Sequence, residues 1–119
     1  MTRLRTGLLA AVIAAPLAAC GGTPKPEARM ASSEGAIRGA QEAGAQGVPQ
    51  ATLYLQLAQE EREKALQLVK NDDNHRAEMM LARSEADAEL AVALARAAHA
   101  THEAQEATEQ VQELKGKAQ

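Results

Sequence analysis

The sequence predicts an all-α protein, a small antiparallel helical hairpin or three-helix bundle with a long C-terminal helix, preceded by a secretory leader. Three observations lead to it. The chain holds 28 alanines, with Tyr54 as its only aromatic residue and no Phe or Trp. Sheets draw on β-branched and aromatic side chains, whereas Ala, Glu, Gln, Leu, Arg and Lys are good helix formers. Apolar residues recur at three- and four-residue spacings, and Gly-Val-Pro and Asn-Asp-Asp-Asn breaks divide the chain into three helical segments. The reading is residues 1–19 as leader, 20–26 as tether and 27–115 as helical domain, with helices at about 27–46, 50–70 and 75–115.

The leader is read from its first twenty residues. Residues 1–5 are short and basic, residues 7–15 (GLLAAVIAA) are apolar or small, and Leu17-Ala18-Ala19 lead into Cys20. A basic start, a short apolar run and small residues at a cut describe a secretory signal peptide. The run is too short for the ~20 residues that span a bilayer. Leu17-Ala18-Ala19-Cys20 looks like the lipobox of bacterial lipoproteins. That resemblance implies a diacylglyceryl group on the Cys20 sulfur, cleavage before Cys20, and acylation of the new amino group. Three acyl chains are ample for stable anchoring. Gly21 is not the Asp that favours inner-membrane retention in the well-studied Gram-negative rule, so the expected address is the periplasmic face of the outer membrane. Residues 21–25 (GGTPK) then form a short tether, flexible at Gly-Gly and extended at Thr-Pro-Lys-Pro.

In the first helical segment Pro26 suits the opening turn, and Glu27 complements the helix dipole. Met30, Ala36, Ile37, Ala40, Ala43 and Gly44 share one side. Gly35, Gly39 and Gly44 weaken the helix and lie near that side, which predicts close backbone approach there. Pro49 opens the second helix, with Tyr54, Ala58, Glu61, Ala65, Leu68 and Val69 on one side and Gln56, Glu60, Glu63, Gln67 and Lys70 on the other. Residues 71–74 (NDDN) form a turn in which Asn suits the left-handed position after a helix and Asp or Asn caps the next helix.

The third segment has no Gly or Pro up to Leu114. Its first half presents two stripes, one of Met79, Ala86, Leu90, Ala93 and Ala97, the other of Ala77, Leu81, Ser84, Ala88, Ala91, Ala95 and Ala98. So wide a face predicts contact with two neighbouring helices. Beyond Ala98 one seam remains, of Ala100, Ala104, Ala107, Val111 and Leu114, with coiled-coil spacing. Helices one and two are spent on the first half, so this stretch reads either as a frayed, polar helix end or as a seam that pairs with another chain, a second copy or an envelope protein.

Ala36-Ile37, Ala40, Gly44-Ala45, Pro49, Leu53, Leu57-Ala58, Ala65, the Asn-Asp turn, Ala77, Leu81-Ala82, Ala86-Asp87-Ala88 and Leu90-Ala91 together resemble a family of small bacterial envelope lipoproteins, domain of unknown function 4398. The resemblance covers roughly residues 31–95 and implies a helical domain in the Gram-negative periplasm. Some relatives continue into a peptidoglycan-binding domain of the outer-membrane protein A type. No residues here correspond to it, so that activity is not carried over, and the family offers no catalytic residues.

Function classes narrow accordingly. A single Cys excludes an internal disulfide framework or a Cys-based zinc site. Setting aside Arg3 and Arg5, 11 basic residues face 16 acidic ones, which opposes nucleic-acid binding. After Cys20 only eighteen apolar side chains are larger than Ala, too few to line a deep enzyme pocket. Glu60, Glu61 and Glu63 on one helix read as a solvated charged face, since acid–base catalysis needs convergent geometry near a pocket; Met79-Met80 reads as packing, and no cofactor motif is present. His99 with Glu103 and His102 with Glu106 stand four residues apart, a spacing at which imidazole and carboxylate hold Zn²⁺ or Cu²⁺. The expectation is a non-enzymatic structural or protein-interaction element of the envelope, anchored to the membrane through lipid on Cys20. The alternative is a periplasmic metal or small-ligand binder that uses the His99–Glu106 face.

Overall fold

The structure is a computed structural model in which residues 22–118 are described; the leader, Cys20 and the first tether residues lie outside them. Three α-helices follow in order: α1 (Glu27–Glu42), α2 (Pro49–Lys70) and α3 (Asn74–Lys117), with a 3₁₀ turn (Ala45–Gly47) between α1 and α2. No strand occurs among the described residues. The fold is all-α, with α3 as its spine and α1 and α2 both packed on the first half of α3. The 44 residues of α3 make it roughly 66 Å long at 1.5 Å per residue.

Helix α1 is shorter than the spacing predicts. It stops at Glu42 because Gly44 takes a left-handed conformation, φ +75°, which a residue with a Cβ adopts only at a cost. The carbonyl oxygens of Gly39 and Gln41 accept from the amides of Ala43 and Gly44 and close the helix end. Pro26 sits at the N-cap rather than inside the first turn. Close backbone approach is confined to Gly44, where an added Cβ would lie 3.1 Å from Nε2 of His99. A Cβ on Gly35 or Gly39 would meet nothing within 4 Å, because both sit off the buried stripe of Ser33, Ile37 and Ala40.

Pro49 does open α2, and the Thr52 hydroxyl donates back to the carbonyls of Ala45 and Val48, tying the 3₁₀ turn to the new helix. The buried line of α2 is Ala51, Leu55, Ala58, Glu61 and Ala65. It is rotated from the predicted face: Tyr54, Leu68 and Val69 are only half-buried, while Ala51 and Leu55 lie inside. The Asn-Asp turn is present, but its left-handed position falls on an Asp and not on Asn71, whose φ is −95°. Asp72 takes the left-handed position, φ 58°, and the Asp73 side chain accepts from the Arg76 amide at 3.4 Å as the cap of α3.

On α3 the stripe Ala77, Leu81, Ser84, Ala88, Ala91 and Ala95 is buried, all at 0% exposure, and Ala98 is half-buried. The second predicted stripe is not buried: Met79 is 53% and Leu90 40% exposed, and Ala86, Ala93 and Ala97 are exposed. One line of small side chains serves both neighbours. Its Ala and Ser residues let α1 and α2 straddle it closely, with Val92 and Leu94 half-buried against the core.

Candidate interaction surface

One polar contact joins all three helices at a single level. Ser84 donates its hydroxyl proton to the Ala58 carbonyl at 2.7 Å. That proton is therefore committed, and Ser33 donates to the Ser84 oxygen across 2.8 Å. Both serines are fully buried, and a buried hydroxyl without a partner costs about 1–3 kcal/mol. The pairing thus fixes α1, α2 and α3 in register. Ser84 lies on the predicted stripe. Ser33 had no signal beyond its place seven residues before Ala40 and four before Ile37.

Charge pairs flank this line. On the α1 side, Glu85 accepts from Arg29 at 2.9 Å and from the Ser32 hydroxyl. The Ser32 hydrogen bond, then Arg29, holds the Glu85 carboxyl below its ordinary range despite partial desolvation. On the α2 side, Glu61 is 6% exposed and pairs with Arg83 at 2.9 Å. Burial pushes its carboxyl upward, the Arg83 charge pulls it down, and Asp87 raises it again. Glu61 Oε2 is buried with no hydrogen-bond partner. The tether end is fastened too: Asn74 at the start of α3 donates through Nδ2 to the Thr23 carbonyl at 2.7 Å. Thr23 is thereby held beside the first turn of α3.

From His99 to Ala118 every residue is exposed, including Val111 at 50% and Leu114 at 67%. The seam of Ala100, Ala104, Ala107, Val111 and Leu114 thus has no partner within the chain. Placed on the helix, it also continues the exposed stripe of the first half. Ala86, Leu90, Ala93, Ala97, Ala100, Ala104, Ala107, Val111, Leu114 and Ala118 follow one another at spacings of 4, 3, 4, 3 without a break. They form a single solvent-facing seam of more than four heptads, the length that signals a coiled coil. The sequence shows both pieces; that they are one surface emerges only once the inner stripe is seen to satisfy both α1 and α2.

The His99–Glu106 face does not converge. His99, His102, Glu103 and Glu106 are exposed, and only His102 and Glu106 approach, with Nδ1 3.5 Å from Oε1. The His99 ring lies over Gly44 instead. Among the described residues no three His, Cys, Asp or Glu side chains are grouped to hold a metal ion. The depressions beside α3, such as that lined by Leu68, Arg76, Met79, Met80 and Arg83, are open grooves. No helix among the described residues is long and apolar enough to cross a membrane. Cys20, the lipidation candidate, lies outside the described residues. Comparison with protein-family models, with curated proteins and with solved structures gave no match.

Proposed function

We propose that the chain is a lipid-anchored, non-enzymatic element of a bacterial cell envelope, held on the periplasmic face of the outer membrane by acyl chains on Cys20 and acting through protein contacts made by α3. One observation carries the anchoring: a basic start, the apolar run at residues 7–15 and Leu17-Ala18-Ala19 directly before the chain's single Cys. The resemblance to the envelope lipoprotein family of domain of unknown function 4398 agrees with it. The surface supports the second half of the reading, because exposed apolar patches on proteins mark interaction sites.

Mass analysis of the N-terminal peptide from protein purified out of its native host tests the anchor. The expected mass is that of a chain beginning at Cys20 and carrying fatty acyl groups. A free Cys20 thiol, or residues 1–19 still attached, would overturn the reading. Cys20→Ser is expected to leave the leader uncleaved and the N-terminal peptide without fatty acyl groups. Cross-linking in intact cells, with captured species identified by mass spectrometry, tests the interaction half.

A further inference from the structure

We propose that the occupant of the exposed seam is a second copy of this chain, packed antiparallel so that the free half of each α3 covers the exposed face of the other bundle. The inference rests on the reading of α3 as an interaction surface and adds the partner, the direction and the register.

The seam has its large residues near its two ends, Leu90 at one and Val111 and Leu114 at the other, with small Ala between them. In an antiparallel pair each position of one type faces the other type across the interface. The register that overlaps residues 86–118 of both copies sets Leu90 opposite Leu114 of the second copy, Ala93 opposite Val111, and Ala97 opposite Ala107. The alanine centre lets the two backbones approach at the short end of the 8–10 Å range for packed helices. The overlap is ~50 Å long at 1.5 Å per residue.

Charge decides the direction, since residues flanking a seam set orientation. The flanks hold Asp87, Glu89, Arg96, Glu103, Lys115 and Lys117. In the antiparallel register Asp87 faces Lys115 and Glu89 faces Lys117 at each end, which makes four opposite-charge pairs, while Glu103 meets its own copy at the centre. A parallel pair sets Glu89 against Leu94, Arg96 against Thr101 and Glu103 against Thr108, and gains no opposite-charge pair. Arg83 marks where the seam stops: it occupies the next inward position of the repeat and is held by Glu61 at 2.9 Å. The face is free to receive a helix, because Ala86, Glu89, Leu90, Ala93, Arg96 and Ala97 are all exposed beside the bundle.

The test uses the full chain in mild detergent with Cys20→Ser, so that introduced thiols are the only ones. Leu90→Cys mixed with Leu114→Cys is expected to give a mixed disulfide dimer on mild oxidation. Leu114→Cys alone is expected to stay unlinked, since the two copies of that position lie ~36 Å apart along the axis. Self-linking of Leu114→Cys would mean a parallel pair and overturn the proposal. Lys117→Glu is expected to weaken the dimer by roughly 2- to 5-fold in sedimentation, a surface-pair effect, and Glu89→Lys in the same chain to restore it; failure of that rescue overturns the register. A folded, helical monomer at the highest concentration reached overturns self-pairing. That outcome is distinct from failure of the anchoring reading, which is judged by the mass of the Cys20 peptide and needs no dimer.

Discussion

The two halves of α3 are made from nearly the same residues and do opposite things. In the first half, Ala77, Ala88, Ala91 and Ala95 are fully buried under two helices. In the second, Ala100, Ala104 and Ala107 repeat the same spacing in full contact with water. Alanine is close to indifferent between the two settings because its methyl buries little area, so its spacing marks a helix face without marking what lies against it. What distinguishes the halves is Ser84 and its bonds to Ser33 and Ala58, together with the ion pairs of Glu61 and Glu85, which commit one face to specific neighbours.

Shortening one leucine in each half separates the two most. Leu81 is the largest fully buried side chain, and Leu81→Ala is expected to cost about 2–5 kcal/mol. Leu114 is 67% exposed, and Leu114→Ala is expected to change the unfolding free energy of the monomer by less than about 0.5 kcal/mol. Urea unfolding followed by circular dichroism, at protein concentrations low enough to exclude association, reads both. Equal costs would mean that the second half is packed within the chain.

Ser84→Ala comes next. It removes the donor to Ala58 and strands the Ser33 hydroxyl in a dry site, an expected loss of about 1–3 kcal/mol. Adding Ser33→Ala removes the stranded group, so the double variant should lose less than the two single variants summed. Strict additivity in the same unfolding assay would show that the serines do not act as a unit.

The glycines separate in sign. Gly44→Ala forces a Cβ into φ +75° and against the His99 ring, and is expected to destabilise by about 1–2 kcal/mol. Gly35→Ala and Gly39→Ala place a methyl in open space within a helix, and each is expected to stabilise by about 0.5–1 kcal/mol. Melting temperatures of the three variants give the answer directly.

How far the sequence reveals this molecule follows from the same contrast. The three helices, the Pro49 start and the Asn-Asp turn are legible because Pro and Asx residues act locally. The buried stripe of α3 is legible because Leu81 and Ser84 interrupt the alanines on it. The face of α2 is obscured because Leu53, Leu55 and Leu57 alternate at a period of two, and only Leu55 is buried, at 3%, against 54% and 38% for the others. The end of α1 depends on the left-handed turn at Gly44, which nothing in the sequence sets apart from Gly35 and Gly39 before it. That the outer stripe of α3 is free depends on how many helices one alanine line can hold, a property of packing rather than of sequence spacing.

The smallest expected effect concerns pH, through two shifted carboxyls at the packed half of α3: Glu85 on that helix and Glu61 on α2 against it. Glu61 is raised above its ordinary value of 4.5 by burial. The folded state then binds its proton more tightly than the unfolded state, so its contribution to stability is complete below that value and is lost as pH rises through the raised one. Glu85 is lowered from 4.5 by Ser32 and Arg29. Its contribution is present above the ordinary value and is lost as pH falls through the depressed one. Stability from these two groups is therefore greatest near the ordinary carboxylate value and declines on either side. Glu61→Gln should flatten the decline on the alkaline side and Glu85→Gln the decline on the acid side, each leaving the other limb intact. Denaturant midpoints measured across mildly acidic pH decide it. An alkaline limb that survives Glu61→Gln would assign that slope to another group and leave buried Glu61, paired with exposed Arg83, as packing alone.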